Sequence, residues 1–281
     1  MSKTHVRETT LLSRTETHHN LACNKAGKIS MVPFRTGPCF IVALLLTLAI
    51  TVDSYAASFK KTPRLLVFSK TAGFRHDCIP VAKLAMIKLG QENGFAVDTT
   101  EDASVFNDKD LKRYAAVLFL NTTGNVLNDE QQAAMEKYIH NGGGYMGIHA
   151  ATDTEYEWAW YNKLAGAWFT SHPKQQQATL LVVDRNNDAT RHLQEKWSRW
   201  DEWYNFKDLN PDVHVLIKID ESSYEGGKNG DNHPMCWYHD FEGGRAFYTE
   251  LGHTKESYAD PVYLQHVLGG LRYAMNLKAK K

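Results

Sequence analysis

The sequence predicts an α/β fold: a doubly wound, mostly parallel sheet flanked by helices, with strands added in the C-terminal half. Three observations lead there. Near-continuous apolar runs recur over residues 64–69, 115–120 and 145–148, as in strands buried on both faces. Segments of helical periodicity alternate with them. Beyond residue 175 the helices give way to short apolar stretches divided mainly by loops.

Residues 64–69 (RLLVFS) read as a strand that opens onto a loop containing Gly73. Pro80 suits a first helical turn, Ala82, Ala85, Met86 and Leu89 recur at helical spacing, and Gly94 sits where a C-terminal cap belongs. Residues 95–99 and 115–120 are the second and third strands. Asn128 and Gln131 have the spacing of a capping box, which opens a helix running to about Asn141. Gly142, Gly143 and Gly144 end it. A phosphate-binding glycine loop follows a strand and opens a helix, the reverse of this order, so the triplet reads as a helix cap. Residues 145–148 form the fourth strand, 178–183, 214–219, 235–238 and 245–250 the later ones, and a helix over 261–277 closes the chain. In such sheets ligands bind beyond the carboxyl ends of the strands.

The 281 residues are 43% hydrophobic, 23% charged and 11% aromatic, the composition of a folded chain. Thirty-two basic side chains balance 32 acidic ones, so no global positive field draws the protein to nucleic acid. One segment departs from the average. Residues 40–52 (FIVALLLTLAITV) are almost wholly apolar, yet at about 20 Å as a helix they fall short of a bilayer span. With Arg35 before and Ser54-Tyr55-Ala56 after, the run reads as a signal peptide cut after Ala56. Met31 gives a more ordinary start, so residues 1–30 read as an over-extended gene start.

The expected product is therefore residues 57–281, a single secreted or periplasmic domain with no stable membrane span after cleavage. It carries 26 basic and 29 acidic residues, a slightly acidic balance that points to small or neutral partners. Only Cys78 and Cys236 remain in it, to pair or stay free. Two cysteines are too few for a disulfide framework or a cysteine-only zinc site.

Gly147-Ile148-His149-Ala150-Ala151 places small residues around one functional side chain where a buried strand breaks off, the build of a nucleophile elbow. Here the side chain is histidine, suited to base, proton-donor or metal-ligand roles rather than acyl transfer. The alternative is a hydrogen-bonded structural histidine. Trp158, Trp160, Trp168, Trp197, Trp200 and Trp203 follow within one stretch; they read either as an aromatic rim that stacks on sugar rings or as packing of a second layer. Asp201 and Glu202 lie among these rings, where desolvation raises a carboxyl pKa toward the acid/base range. Any three of His76, His149, Glu202, His233 and His253 suffice for a site holding a divalent metal such as zinc, although none forms a tight ligand pair. Asn121-Thr122-Thr123 matches a glycosylation acceptor by chance, at a buried strand end.

Several motifs together resemble the ThuA family, named for trehalose utilisation. They are Gly73-Phe74-Arg75-His76; Gly142-Gly143-Gly144 with Gly147-Ile148-His149-Ala150-Ala151 and Asp153; Gly166-Ala167 with Phe169 and His172-Pro173; Asp201-Glu202 with Tyr204; His233-Pro234 with Trp237; and Gly244-Arg245 with Phe247-Tyr248 and Leu251-Gly252-His253. The resemblance covers about residues 64–276 and implies a fold like class I glutamine amidotransferases, which is also flavodoxin-like. It puts His149 where an amidotransferase holds its cysteine, so glutamine hydrolysis is not expected. It implies carbohydrate catabolism, on sugars or glycosides oxidised to 3-keto forms by a partner sugar dehydrogenase, by a hydrolase, lyase or isomerase. His149, Glu202 and His253 are then the catalytic candidates, with His149 or Glu202 as base. Arg75, His76 and His253, or a bound metal, stabilise the enediolate, and Asp153, His172, Asp201, Tyr204, His233 and Trp237 join Arg75 and His76 in binding substrate. The alternative from another class is a non-catalytic sugar-binding or accessory protein.

Overall fold

The structure, a computed structural model, describes residues 61–278. The signal-peptide reading and the question of the true start lie outside them. Among the described residues sixteen strands and α-helices follow in chain order. The first seven are β1 (Arg64–Phe68), α1 (Ile79–Asn93), β2 (Ala96–Thr100), α2 (Asp108–Leu111), β3 (Ala116–Leu120), α3 (Asp129–His140) and β4 (Gly144–Ile148). Then come α4 (Ala159–Ala165), β5 (Trp168–Ser171), β6 (Gln176–Val182), β7 (Lys196–Asp201) and β8 (Asn205–Lys207). The last are β9 (His214–Ile219), β10 (Pro234–Phe241), β11 (Gly244–Thr249) and α5 (Pro261–Ala274).

Nine strands form one sheet in the order β2-β1-β3-β4-β11-β10-β9-β6-β7, and β5 pairs with β8 in a separate ribbon. The first five are parallel neighbours and the remaining four extend the sheet antiparallel. Sequence and topology agree here, because β3 and β4 are buried at every position, as a strand covered by helices on both faces must be. The expected capping box is present: the Asn128 side chain accepts from the Gln131 backbone, and the Gln131 side chain accepts from the Asn128 backbone. The flavodoxin-like order of the parallel part puts the β1, β4 and β11 carboxyl ends on one side, where ligands of this fold class bind.

Cys78 and Cys236 are both buried and unpaired, which closes the alternative of a disulfide between them. Asn121 is fully buried at the end of β3, so its acceptor motif is not open to modification. Among the described residues no helix is long and apolar enough to cross a membrane.

His266 on α5 ties the helix to the sheet. Its Nδ1–H donates to the Ala189 carbonyl at 2.8 Å and its Nε2 accepts from the Thr249 hydroxyl at 3.0 Å. Both bonds suit the neutral ring, and burial pushes its pKa down to about 4. The unfolded imidazole takes up its proton near 6.5, so between these values the unfolded state binds more protons and stability falls as pH falls. From pH 7.5 to 5 this residue alone is expected to cost about 2 kcal/mol. Urea unfolding of a His266→Gln variant should show a correspondingly shallower acid slope; an unchanged slope would rule His266 out as its source.

Candidate functional site

Four separate segments deliver four side chains to one point at the carboxyl ends of the strands. The loop after β1 brings His76, the end of β4 brings His149, the residue after β7 is Glu202, and the turn after β11 brings His253. His149 adopts φ +50, a left-handed conformation uncommon outside glycine, so β4 ends in the sharp elbow expected from the flanking small residues. The Tyr248 hydroxyl donates to the His149 carbonyl at 2.7 Å and shares a hydrogen bond with Thr152 at 3.0 Å, which holds the strained turn.

One donor atom from each of His76, His149, Glu202 and His253 lies within 4.8 Å of the other three. His149 Nε2 is 3.0 Å from His253 Nδ1 and 3.4 Å from Glu202 Oε2, and His253 Nδ1 is 3.1 Å from the same oxygen. The three imidazole centroids form a triangle with 5.0 Å sides and interplanar angles of 90°, 82° and 76°. Donors bound to a tetrahedral zinc at 2.0–2.2 Å stand about 3.3 Å apart, so these separations fit a divalent cation. The hydrogen-bond pattern fits as well. His149 Nδ1–H donates to the Glu250 carbonyl at 2.8 Å, which turns Nε2 into the cluster, where a bound cation would take the place of its proton; a carbonyl behind Nδ1 is the usual support for a ligating histidine. Buried His76 Nδ1 has no hydrogen-bond partner.

Charge is balanced tightly at this point. Burial alone lowers the His149 pKa, but Glu202 and Glu250 together push it up to about 10. Burial and the charges on His149 and His253 push His76 down to about 2. Burial raises the Glu202 carboxyl, but the two imidazoles outweigh it and hold Glu202 well below the usual carboxylate range. This corrects the expectation for the Asp201-Glu202 pair as regards Glu202. Burial lifts two other carboxyls near the cluster, Asp153 and Glu250, the latter to about 7.

The sequence model of the ThuA family, described as trehalose utilisation, matches residues 64–274. The chain belongs to the ThuA family. A ThuA-like protein from Bacteroides uniformis superposes with a TM-score of 0.65 at 25% identity, over 78% of this chain and 95% of that one. A second, from Parabacteroides merdae, gives 0.63 at 20% identity over 79% and 93%. Part of a beta-galactosidase from Bacillus circulans sp. alkalophilus shares the fold alone, at 11% identity and a TM-score of 0.52 over 85% of this chain and 35% of that one. No curated protein matches. ThuA membership supports a carbohydrate-related role.

Around the ThuA cluster the other expected site residues divide into two groups. His172 Nδ1 is 3.1 Å from Glu202 Oε1. Tyr204 covers His149, with ring centroids 4.2 Å apart. Asp153 accepts from the Tyr156 hydroxyl at 2.7 Å and lies within electrostatic reach of His149 and His172. Asp201 stands behind the cluster rather than in it: its carboxylate accepts from Gly252 N–H at 3.1 Å and His253 N–H at 3.2 Å and so fixes the His253 turn.

Three of the expected residues are engaged elsewhere. Arg75 forms a bidentate pair with Glu101, both bonds 2.9 Å. His233 is buried between the Tyr204 carbonyl and the Glu221 carboxylate. Trp237 is buried and donates to the Ala165 carbonyl. The aromatic rim gives way largely to packing: Trp158 and Trp203 are buried, Trp158 stacks on Trp160, and exposed Trp200 points away from Asp201, its strand neighbour. Glu250, which orients His149, is not among the residues expected from the sequence, although it sits at the end of a predicted strand two residues before Gly252-His253.

Proposed function

We propose that this ThuA protein is an exported enzyme of carbohydrate breakdown that acts on 3-keto sugars or glycosides, with a divalent cation held by His76, His149, Glu202 and His253. The reading rests on one observation, the convergence of three imidazoles and a carboxylate from four segments within 4.8 Å. A divalent cation in such a site supplies Lewis-acid polarisation of a carbonyl oxygen. A keto group at C3 acidifies the C–H at C2, and loss of that proton permits isomerisation or departure of the glycosidic oxygen from C1. Such chemistry needs a base beside an oxyanion partner.

His149 is fitted to hold rather than to reach. It is fully buried beneath Tyr204, with one nitrogen on Glu250 and the other turned into the cluster. The titratable side chains beside the cluster but outside the ligand set are Asp153, whose carboxyl burial pushes up, and His172, 3.1 Å from Glu202. Glutamine hydrolysis is set aside because an imidazole occupies the elbow and the Cys78 thiol is pushed up to about 12 by burial. A separate sugar dehydrogenase in the same compartment supplies the keto substrate in this scheme.

Purified protein is expected to carry about one divalent ion per chain, to lose turnover of a 3-keto-disaccharide on chelation, and to regain it on metal addition. Full turnover by metal-free protein, or by Glu202→Gln, would sink the metal role. Sugar binding with no product in mass spectra would instead make the chain a binding protein.

A further inference from the structure

We infer that the Phe74 ring is the platform on which a pyranose ring of the substrate stacks, which makes it a specificity-determining residue of the same site. The inference rests on the carbohydrate reading above. Phe74 is 66% exposed, unusual for a large apolar ring, and it stands in the loop after β1, on the ligand side of the sheet. Its centroid is 4.9 Å from that of His76 at an interplanar angle of 87°, and His76 is 5.0 Å from both His149 and His253. One imidazole therefore separates the exposed face from the proposed reacting centre.

The ring is held there rather than loosely displayed. Ala72 N–H and Gly73 N–H donate to the Thr123 carbonyl at 2.7 and 3.3 Å, and the Thr123 hydroxyl donates to the Phe74 carbonyl at 2.8 Å. The backbone on both sides of the side chain is fixed while the side chain itself is left without a core position. The neighbouring cation is already engaged, since Arg75 is paired with Glu101. An apolar face with no free guanidinium beside it suits the C–H face of a neutral sugar and not a phosphate. The other rings at the cluster have used their faces on one another: Tyr204 lies against His149 at 4.2 Å and against Phe169 at 4.1 Å. Trp200, the other strongly exposed ring at 56%, projects from the sheet face opposite to Asp201 and is not a rival for this role.

The test uses purified mature protein loaded with zinc, with binding of unoxidised trehalose followed by calorimetry and turnover of 3-keto-trehalose followed by mass spectrometry. Phe74→Ala is expected to weaken trehalose binding and raise KM by roughly five- to tenfold, with kcat nearly unchanged and metal content equal to the parent. Phe74→Trp should restore both constants. Unchanged Kd and KM in Phe74→Ala, or a loss of metal that accounts for the effect, would overturn the assignment. If the parent binds trehalose in a Phe74-dependent way but converts no 3-keto glycoside, the platform stands and the catalytic reading fails. If the parent binds no glycoside, both fail.

Discussion

His149→Ala is expected to abolish metal uptake and to lower turnover by about 10³-fold, the scale on which removal of one preorganised charge-stabilising group acts. His149 Nε2 lies close to two other members of the cluster at once, 3.0 Å from His253 and 3.4 Å from Glu202. Its loss leaves His253 and Glu202 facing an empty volume. The elbow itself should survive, because Tyr248 grips the residue through its backbone carbonyl. Elemental analysis and thermal unfolding then separate a chemical from a structural effect. A thousandfold excess of cation over Kd stabilises the parent by about 4 kcal/mol; the variant should keep its circular dichroism and show no shift on metal addition. Metal content equal to the parent would refute the ligand assignment.

Gly252→Ala is expected to be the most damaging single methyl group near the site, at about 3 kcal/mol or more. Gly252 has φ +112, and a Cβ there lies 2.3 Å from the Tyr263 hydroxyl and 2.9 Å from that of Tyr258. Neither ring can give way easily, because both are buried and donate to the Leu251 and Gly252 carbonyls at 3.0 Å. The same residue donates to Asp201, so the strain is passed directly to the turn that positions His253. Gly94, at the end of α1, is the control. It has φ +80, but a methyl group added there meets nothing within 4 Å, so Gly94→Ala should cost only about 1 kcal/mol. Equal midpoints for the two variants in urea would show that the turn after β11 is not constrained as described.

The contrast between β3 and β7 shows why one half of the chain is easier to read than the other. AVLFL in β3 is buried at all five positions, and its apolar run states this outright. KWSRWD in β7 reverses the ordinary rule: Arg199 and Asp201 are buried while Trp200 faces out. Arg199 reaches Asp201 at 3.5 Å, Asp260 at 3.2 Å and Ser257 at 2.9 Å, and such pairing is what permits buried charge. A search for apolar periodicity passes over a strand whose inward side chains are charged. The short strands β5 and β8 and the helix α4 escape such a search for a related reason, since a run of three to seven residues carries too few turns of either period.

By itself the sequence determined the parallel α/β core, the elbow at His149 and the ThuA motifs, because each depends on a local pattern: apolar runs, small flanking residues, spaced caps. It also contained all four members of the cluster, within a longer set that included Arg75, His233 and Trp237. Only the tertiary structure decided which of these meet. Glu202 follows a strand at the far edge of the sheet, and its place beside His149 depends on the antiparallel extension and on the hydrogen bonds from Gly252 and His253 to Asp201. Convergence of residues 76, 149, 202 and 253 is a property of strand order and loop direction, and no spacing along the chain encodes it.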